Sequence, residues 1–214
     1  MYMNKKDDFM FPFSTCEKKK EGIAQPYSVF VNFISICIIF YFLIYTQNIY
    51  PFLLILSLLI FECVHTFSHV IHLEGSIQNN ITHCIGYMIN IFFILTLYNY
   101  TNHPPHIYFL IYLLCLIIID IYFFMNLSFM YYFSSSMIIF FSIFIYYYNY
   151  IPQDKKVYLV AILLLGLSIV ILLYNEKYNC KDMLLKYPEV PFHAFLELNG
   201  AFIFYFLCKF FYQM

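Results

Sequence analysis

One apolar stretch ends Phe61-Glu62-Cys63-Val64-His65-Thr66-Phe67-Ser68-His69-Val70-Ile71-His72. At about 100° per residue, Glu62, His65, His69 and His72 fall within an arc of roughly 80°, a carboxylate and imidazole stripe on one helix face. A second stretch, Pro191-Phe192-His193-Ala194-Phe195-Leu196-Glu197-Leu198-Asn199-Gly200, sets His193 and Glu197 one helical turn apart. A third opens with Asn79, Asn80, Thr82 and His83. Imidazoles and carboxylates converging from three helices can give a divalent metal three or four ligands, and zinc is the ion that most often takes His with Glu or Asp and keeps one position for water. Such an ion activates water near neutral pH and polarises a carbonyl, the parts needed to hydrolyse an amide or ester. Glu62 or Glu197 can serve as base, and the Ser68 hydroxyl can donate to an oxyanion. Glu62 to His72 covers about 15 Å of helix axis, so the four stripe residues cannot all hold one ion.

The surrounding chain is apolar. Of 214 residues, 63% are hydrophobic and 11% charged, whereas a soluble domain carries about 25% charged residues. Too few polar side chains exist to cover a water-facing surface, which excludes a soluble enzyme. All 11 basic residues are lysines, so no arginine cluster grips a phosphate backbone, and nucleic acid is not an expected partner. The seven cysteines, at 16, 37, 63, 84, 115, 180 and 208, are scattered singly and suggest no disulfide framework. The first 26 residues are polar and lysine-bearing, unlike a cleaved signal peptide.

A helix needs about 20 largely apolar residues to cross a bilayer. Seven such runs are predicted, at 27–47, 50–72, 79–100, 106–126, 128–149, 156–174 and 190–212, following a tail of 1–26. The breaks fall at Gln47-Asn48, Glu74-Gly75-Ser76, Asn102-His103-Pro104-Pro105, near Asn126, and at Pro152-Gln153-Asp154-Lys155-Lys156. The expected fold is all-α, a polytopic integral membrane bundle of seven transmembrane helices over 27–214. Lys5, Lys6, Lys18, Lys19, Lys20, Lys177, Lys181 and Lys186 share one side, against Lys155, Lys156 and Lys209 on the other, which favours a cytoplasmic N-terminus. Tyr98, Tyr100, Tyr108, Tyr146, Tyr147, Tyr148 and Tyr150 bunch where interfaces are predicted. Gly166 and Gly200 read as close-contact points between helices.

An ionisable group inside a spanning helix costs at least about 2.5 to 3.5 kcal/mol, so each one needs a reason. Alternating topology puts the end of span two, the start of three, the end of four (Asp120) and the starts of five (Ser128, Ser134, Ser135, Ser136) and seven on one side. His65, His69, His72, His83 and His193 therefore share one end of the bundle. His103 and His106 lie in the opposite loop and read as ordinary loop residues.

With these residues placed, the chain resembles the seven-span superfamily of alkaline ceramidases, adiponectin/progestin-type receptors and Per1-like lipid remodelling hydrolases. Members carry Ser-x-x-x-His toward the end of span two, Asp early in span three and His-x-x-x-His early in span seven, together holding zinc. The resemblance implies Ser68 and His72, then His83 in the place of the Asp, then His193 with Glu197 in the place of the second histidine. An alternative register uses His65 and His69 as the span-two pair. It thus implies zinc held by His72, His83 and His193, Glu197 as ligand or base, Ser68 as oxyanion donor, and Glu62, His65 and His69 as alternates or an outer ring. The expected activity is hydrolysis of a lipid amide or ester, with substrate entering from the bilayer of an endomembrane, ER or Golgi. Other classes compatible with the polar residues are a bis-histidine haem electron carrier and a non-catalytic transporter or scaffold whose buried Glu and His relay protons. A di-iron desaturase would need about eight histidines in paired boxes, more than this end holds.

Overall fold

The computed structural model describes residues 17, 23, 25–71, 76–126, 129–187 and 190–212, without the side chains of 71, 76–80, 82, 83, 129, 130, 132, 133, 177 and 181. Among the described residues run seven long helices: α1 Pro26–Tyr45, α2 Ile49–Ile71, α3 Ser76–Thr101, α4 Ile107–Met125, α5 Phe129–Tyr147, α6 Gln153–Lys186 and α7 Phe192–Tyr212. Six are long and apolar enough over their described residues to cross a bilayer. The remaining one, α5, has 19 residues and no charged side chain. The protein is an all-α polytopic membrane bundle.

Local chemistry explains the boundaries. Pro26 occupies the first turn of α1, where a missing N–H is harmless, and the Glu17 carboxylate accepts from the Tyr27 N–H and, at 3.3 Å, from the Ser28 N–H. Asn102, at φ 50°, closes α3 in the left-handed conformation that asparagine tolerates at a helix end, just before Pro104-Pro105. The break between α4 and α5 is made by Asn126, whose backbone N–H and side-chain amide both donate to the Tyr122 carbonyl, at 3.1 and 2.7 Å.

The helix α6 departs from the prediction. Its apolar run ends near residue 174, but the helix continues to Lys186, because its buried face continues: Ile169, Leu173, Glu176 and Cys180 are all buried at helical spacing. Cys180 is disulfide-bonded, which corrects the expectation of no disulfide. Single scattered cysteines carry no spacing signal, and here pairing depends on the fold. Cys37, Cys63, Cys84, Cys115 and Cys208 are free.

Six of the helices close a ring in the order α1, α2, α3, α5, α6 and α7, with α4 packed on α5. The most extensive contacts join α6 to α7, α7 to α1, α1 to α2, α2 to α3 and α4 to α5, while α5 also touches α3 and α6. The apolar core fills the half of the bundle distant from the His and Glu residues, with Ile39, Leu54, Phe93, Ile143, Leu159 and Phe211 at its centre. Tyr147, expected at an interface, lies wholly buried in this core, because it faces the ring interior. His103 stacks on Tyr150 with centroids 3.7 Å apart, as a loop residue should.

The two glycines differ. A Cβ on Gly166 would stand 2.3 Å from the Phe141 ring, whereas one on Gly200 would meet nothing within 4 Å. Gly166 is therefore a contact point between α6 and α5, and Gly200 is not. Gly166→Ala is expected to lower stability by about 1 to 3 kcal/mol through overpacking, read as a reduced melting midpoint in detergent, with Gly200→Ala unchanged or slightly stabilised.

Candidate functional site

Four helices meet at the polar end. α1 contributes Gln25 just before its first turn, α2 contributes Glu62, His65 and His69, α6 contributes Glu176, and α7 contributes His193 and Glu197. The i,i+4 spacing on α2 and again on α7 places two side chains of each helix on one inward face.

Glu197 is the hub. One of its carboxylate oxygens lies 3.3 Å from His65 Nε2, 3.3 Å from His69 Nε2 and 3.1 Å from His193 Nε2. The Nε2 atoms of His65 and His69 are themselves 3.1 Å apart. His69, His193, Glu62, Glu176 and Glu197 are all buried, whereas the His65 side chain is 30% exposed and forms the open edge of the cluster.

The outer contacts orient the rings. Gln25 Oε1 contacts His69 Nδ1, and the Gln25 backbone N–H donates to the His69 carbonyl at 3.1 Å. On the other side His193 Nδ1 lies 2.9 and 3.0 Å from the two Glu176 oxygens. In both rings Nδ1 is held from outside and Nε2 is turned inward to the Glu197 carboxylate, so that His193 bridges Glu176 and Glu197. This is how a carboxylate or amide outside a metal centre orients a ligating histidine. The Ser35 hydroxyl of α1 donates to the Val31 carbonyl of its own helix at 3.4 Å.

A metal fits this donor set. His65, His69 and Glu197 each offer one ligand atom, and the three atoms lie within 4.8 Å of one another. Three buried carboxylates, Glu62, Glu176 and Glu197, lie at this end of the bundle, and His193 bridges the last two at 2.9 and 3.1 Å. Two nitrogens and one oxygen are the donors a divalent transition metal takes.

The stripe on α2 and the pair on α7 do converge, and through His65 and His69. His72 lies outside the described residues, as does the His83 side chain. The Ser68 hydroxyl donates to the His65 carbonyl at 2.5 Å, so its proton is held within the helix. Asp120 belongs to a separate node. It is wholly buried and accepts from Tyr87 at 2.8 Å, from Ser136 at 2.8 Å and from Ser135, tying α3, α4 and α5 together.

Sequence reasoning missed Glu176 and Gln25. Glu176 was legible, for it continues the buried face of Ile169 and Leu173 beyond the apolar run. Gln25 carried no signal, since it sits in the polar segment before α1 and reaches His69 only through the packing of α1 on α2. Comparisons with protein families, curated proteins and solved structures gave no match.

Proposed function

We propose that the chain is a membrane-embedded, metal-dependent hydrolase of a lipid amide or ester, with zinc as the metal. The observation that carries the reading is the convergence of His65, His69 and Glu197, flanked by His193 and Glu176, inside a bilayer-spanning bundle. It uses the alternative register of the resemblance to the alkaline ceramidase, adiponectin/progestin receptor and Per1-like superfamily: His65-x-x-x-His69 on α2 and His193-x-x-x-Glu197 on α7. His65, His69 and Glu197 would hold the ion, with His193 beside them. When bound, it supplies Lewis-acid polarisation of a carbonyl and a nucleophile at neutral pH.

The chain's own groups do the rest. Gln25 and Glu176 hold the His69 and His193 rings from outside, with Nε2 turned inward. Glu62, buried one turn from His65, is the carboxylate assigned to accept a proton from the attacking water. The exposed edge at His65 lets a headgroup enter from the bilayer while the remaining walls exclude water. A cytoplasmic N-terminus and an endomembrane location complete the reading, on lysine placement and on the resemblance. Haem held between α2 and α7 is a poorer fit, since the His69 and His193 rings have centroids 5.0 Å apart with the Glu197 carboxylate against both Nε2 atoms, which leaves no room for a macrocycle between them.

The test pairs metal analysis of the purified protein with fatty-acid release from N-acyl and O-acyl lipids in micelles. About one divalent metal per chain, release abolished by chelation and restored by zinc, is the expected result. A metal-replete protein that releases no fatty acid from either lipid class would overturn the hydrolase reading, and a metal-free one would overturn the site. Glu176→Gln is expected to weaken metal affinity about 10- to 100-fold without removing a ligand, measured by competition with a chromogenic chelator.

A further inference from the structure

The opposite end of the bundle carries a second feature, independent of the His and Glu cluster. A groove of about 610 Å³ runs between α1 and α7, walled by Phe33, Cys37 and Tyr41 on one side and Tyr205 and Tyr212 on the other, with Lys209 among its lining residues. That volume lies within the roughly 300 to 1,000 Å³ of ordinary ligand sites. Its α1 wall extends from Phe30 to Phe42, about 18 Å of helix axis, long enough for most of one acyl chain. Phe33 and Tyr41 are exposed on the outer face of α1, opposite the polar face that carries Ser28, Asn32 and Ser35. The bilayer must cover this groove.

Charge decides what covers it. The described ionisable side chains at this end, His apart, are Lys155, Lys156 and Lys209 with Asp154, three cations against one anion. Lys155 donates to the Phe210 carbonyl at 3.2 Å, so it caps the end of α7 at the residue next to Lys209. Lys156 sits over the Tyr148 ring. Lys209 lies over the Tyr212 ring at 5.8 Å, and the described ion pairs all belong to the distant His and Glu cluster. A cation is thus held at the rim of an aromatic slot with a second cation beside it, and no described carboxylate pairs with it.

We propose that the groove between α1 and α7 is a binding site for an anionic phospholipid, one acyl chain lying along Phe33, Cys37 and Tyr41 and the headgroup phosphate meeting Lys209. Its headgroup lies at the end of the bundle distant from the proposed chemistry, and its binding does not require that chemistry to be correct. Lys155 and Lys156 add to the field at the headgroup, while the tyrosines at the rim suit the interface.

The experiment is native mass spectrometry of the full chain in a mild detergent, offered equal amounts of palmitoyl-oleoyl phosphatidylglycerol and phosphatidylcholine, which share chains and differ in headgroup charge. The wild-type chain is expected to retain the anionic lipid at least about fivefold over the zwitterionic one. Lys209→Gln should erase that preference, while Lys186→Gln should not. Cys37→Trp keeps Lys209 but fills the groove, and should lose bound lipid of both kinds. Equal retention of the two lipids by the wild-type chain, or an anionic preference that survives both Lys209→Gln and Cys37→Trp, would overturn the proposal.

Discussion

Replacing Glu197 with leucine is expected to reduce bound divalent metal by more than the 10- to 100-fold typical of an outer partner, and to abolish any metal-dependent hydrolysis with it. Glu197 touches His65, His69 and His193 at once, so its loss removes a donor and also the group that holds three imidazoles at a common point. His69→Ala should act similarly, since His69 is buried and its ring is held by Gln25 from outside. Glu197→His is the informative control. It retains a donor one turn from His193, so metal should be largely kept. Equal metal content in wild-type, Glu197→Leu and His69→Ala proteins, each eluting as a monodisperse species, would place the metal elsewhere.

Asp120→Leu should be the most destabilising single substitution away from that cluster. Its carboxylate accepts from Tyr87, Ser135 and Ser136, and the residue is wholly buried. Removing it takes away the acceptor that Tyr87, Ser135 and Ser136 share at the junction of three helices, where Ser135 is buried and the other two are half-buried, and an unsatisfied buried group costs about 1 to 3 kcal/mol. The hydroxyls can turn toward backbone carbonyls within their own helices, which reduces the sum. A net loss of about 3 to 5 kcal/mol should lower the melting midpoint by roughly 10 °C. Asp120→Asn keeps an acceptor oxygen and should lose much less. Metal content per folded chain should be the same in both variants, because α3, α4 and α5 hold this node while α1, α2, α6 and α7 hold the other. A melting midpoint unchanged by the leucine variant would show that the three hydroxyls find other partners.

The helices were the most legible feature. Every predicted run overlaps an observed helix, and most ends agree within three residues, because bilayer thickness sets the length of an apolar run and Pro, Asn and Gly mark its ends. The exception is α6. A hydropathy rule stops at Asn175-Glu176, whereas a helix stops only where its backbone finds an end signal, and α6 runs on to Lys186. That extra length carries Glu176 to His193.

The site was legible in its residue types and its end of the bundle, and less so in its members. Four polar positions on one face of α2 are equivalent to any count of helical periods, so His65, His69 and His72 could not be ranked by spacing alone. The Ser68 hydroxyl was expected to face a reacting carbonyl, yet it bonds to its own helix, as hydroxyls commonly do when they lie within reach of a carbonyl one turn back.

The amino-acid sequence by itself determined that this protein lies in a membrane, where its helices begin, and that its few intramembrane histidines and glutamates gather at one end, because these follow from period, length and alternation along a single chain. Only the tertiary structure decided which of those residues meet. The choice of His65, His69, His193 and Glu197, their orientation by Gln25 and Glu176, and the separate Asp120 node depend on the rotation of each helix about its axis and on its neighbours in the ring. Those quantities are set by packing between segments distant in sequence, and no local pattern encodes them.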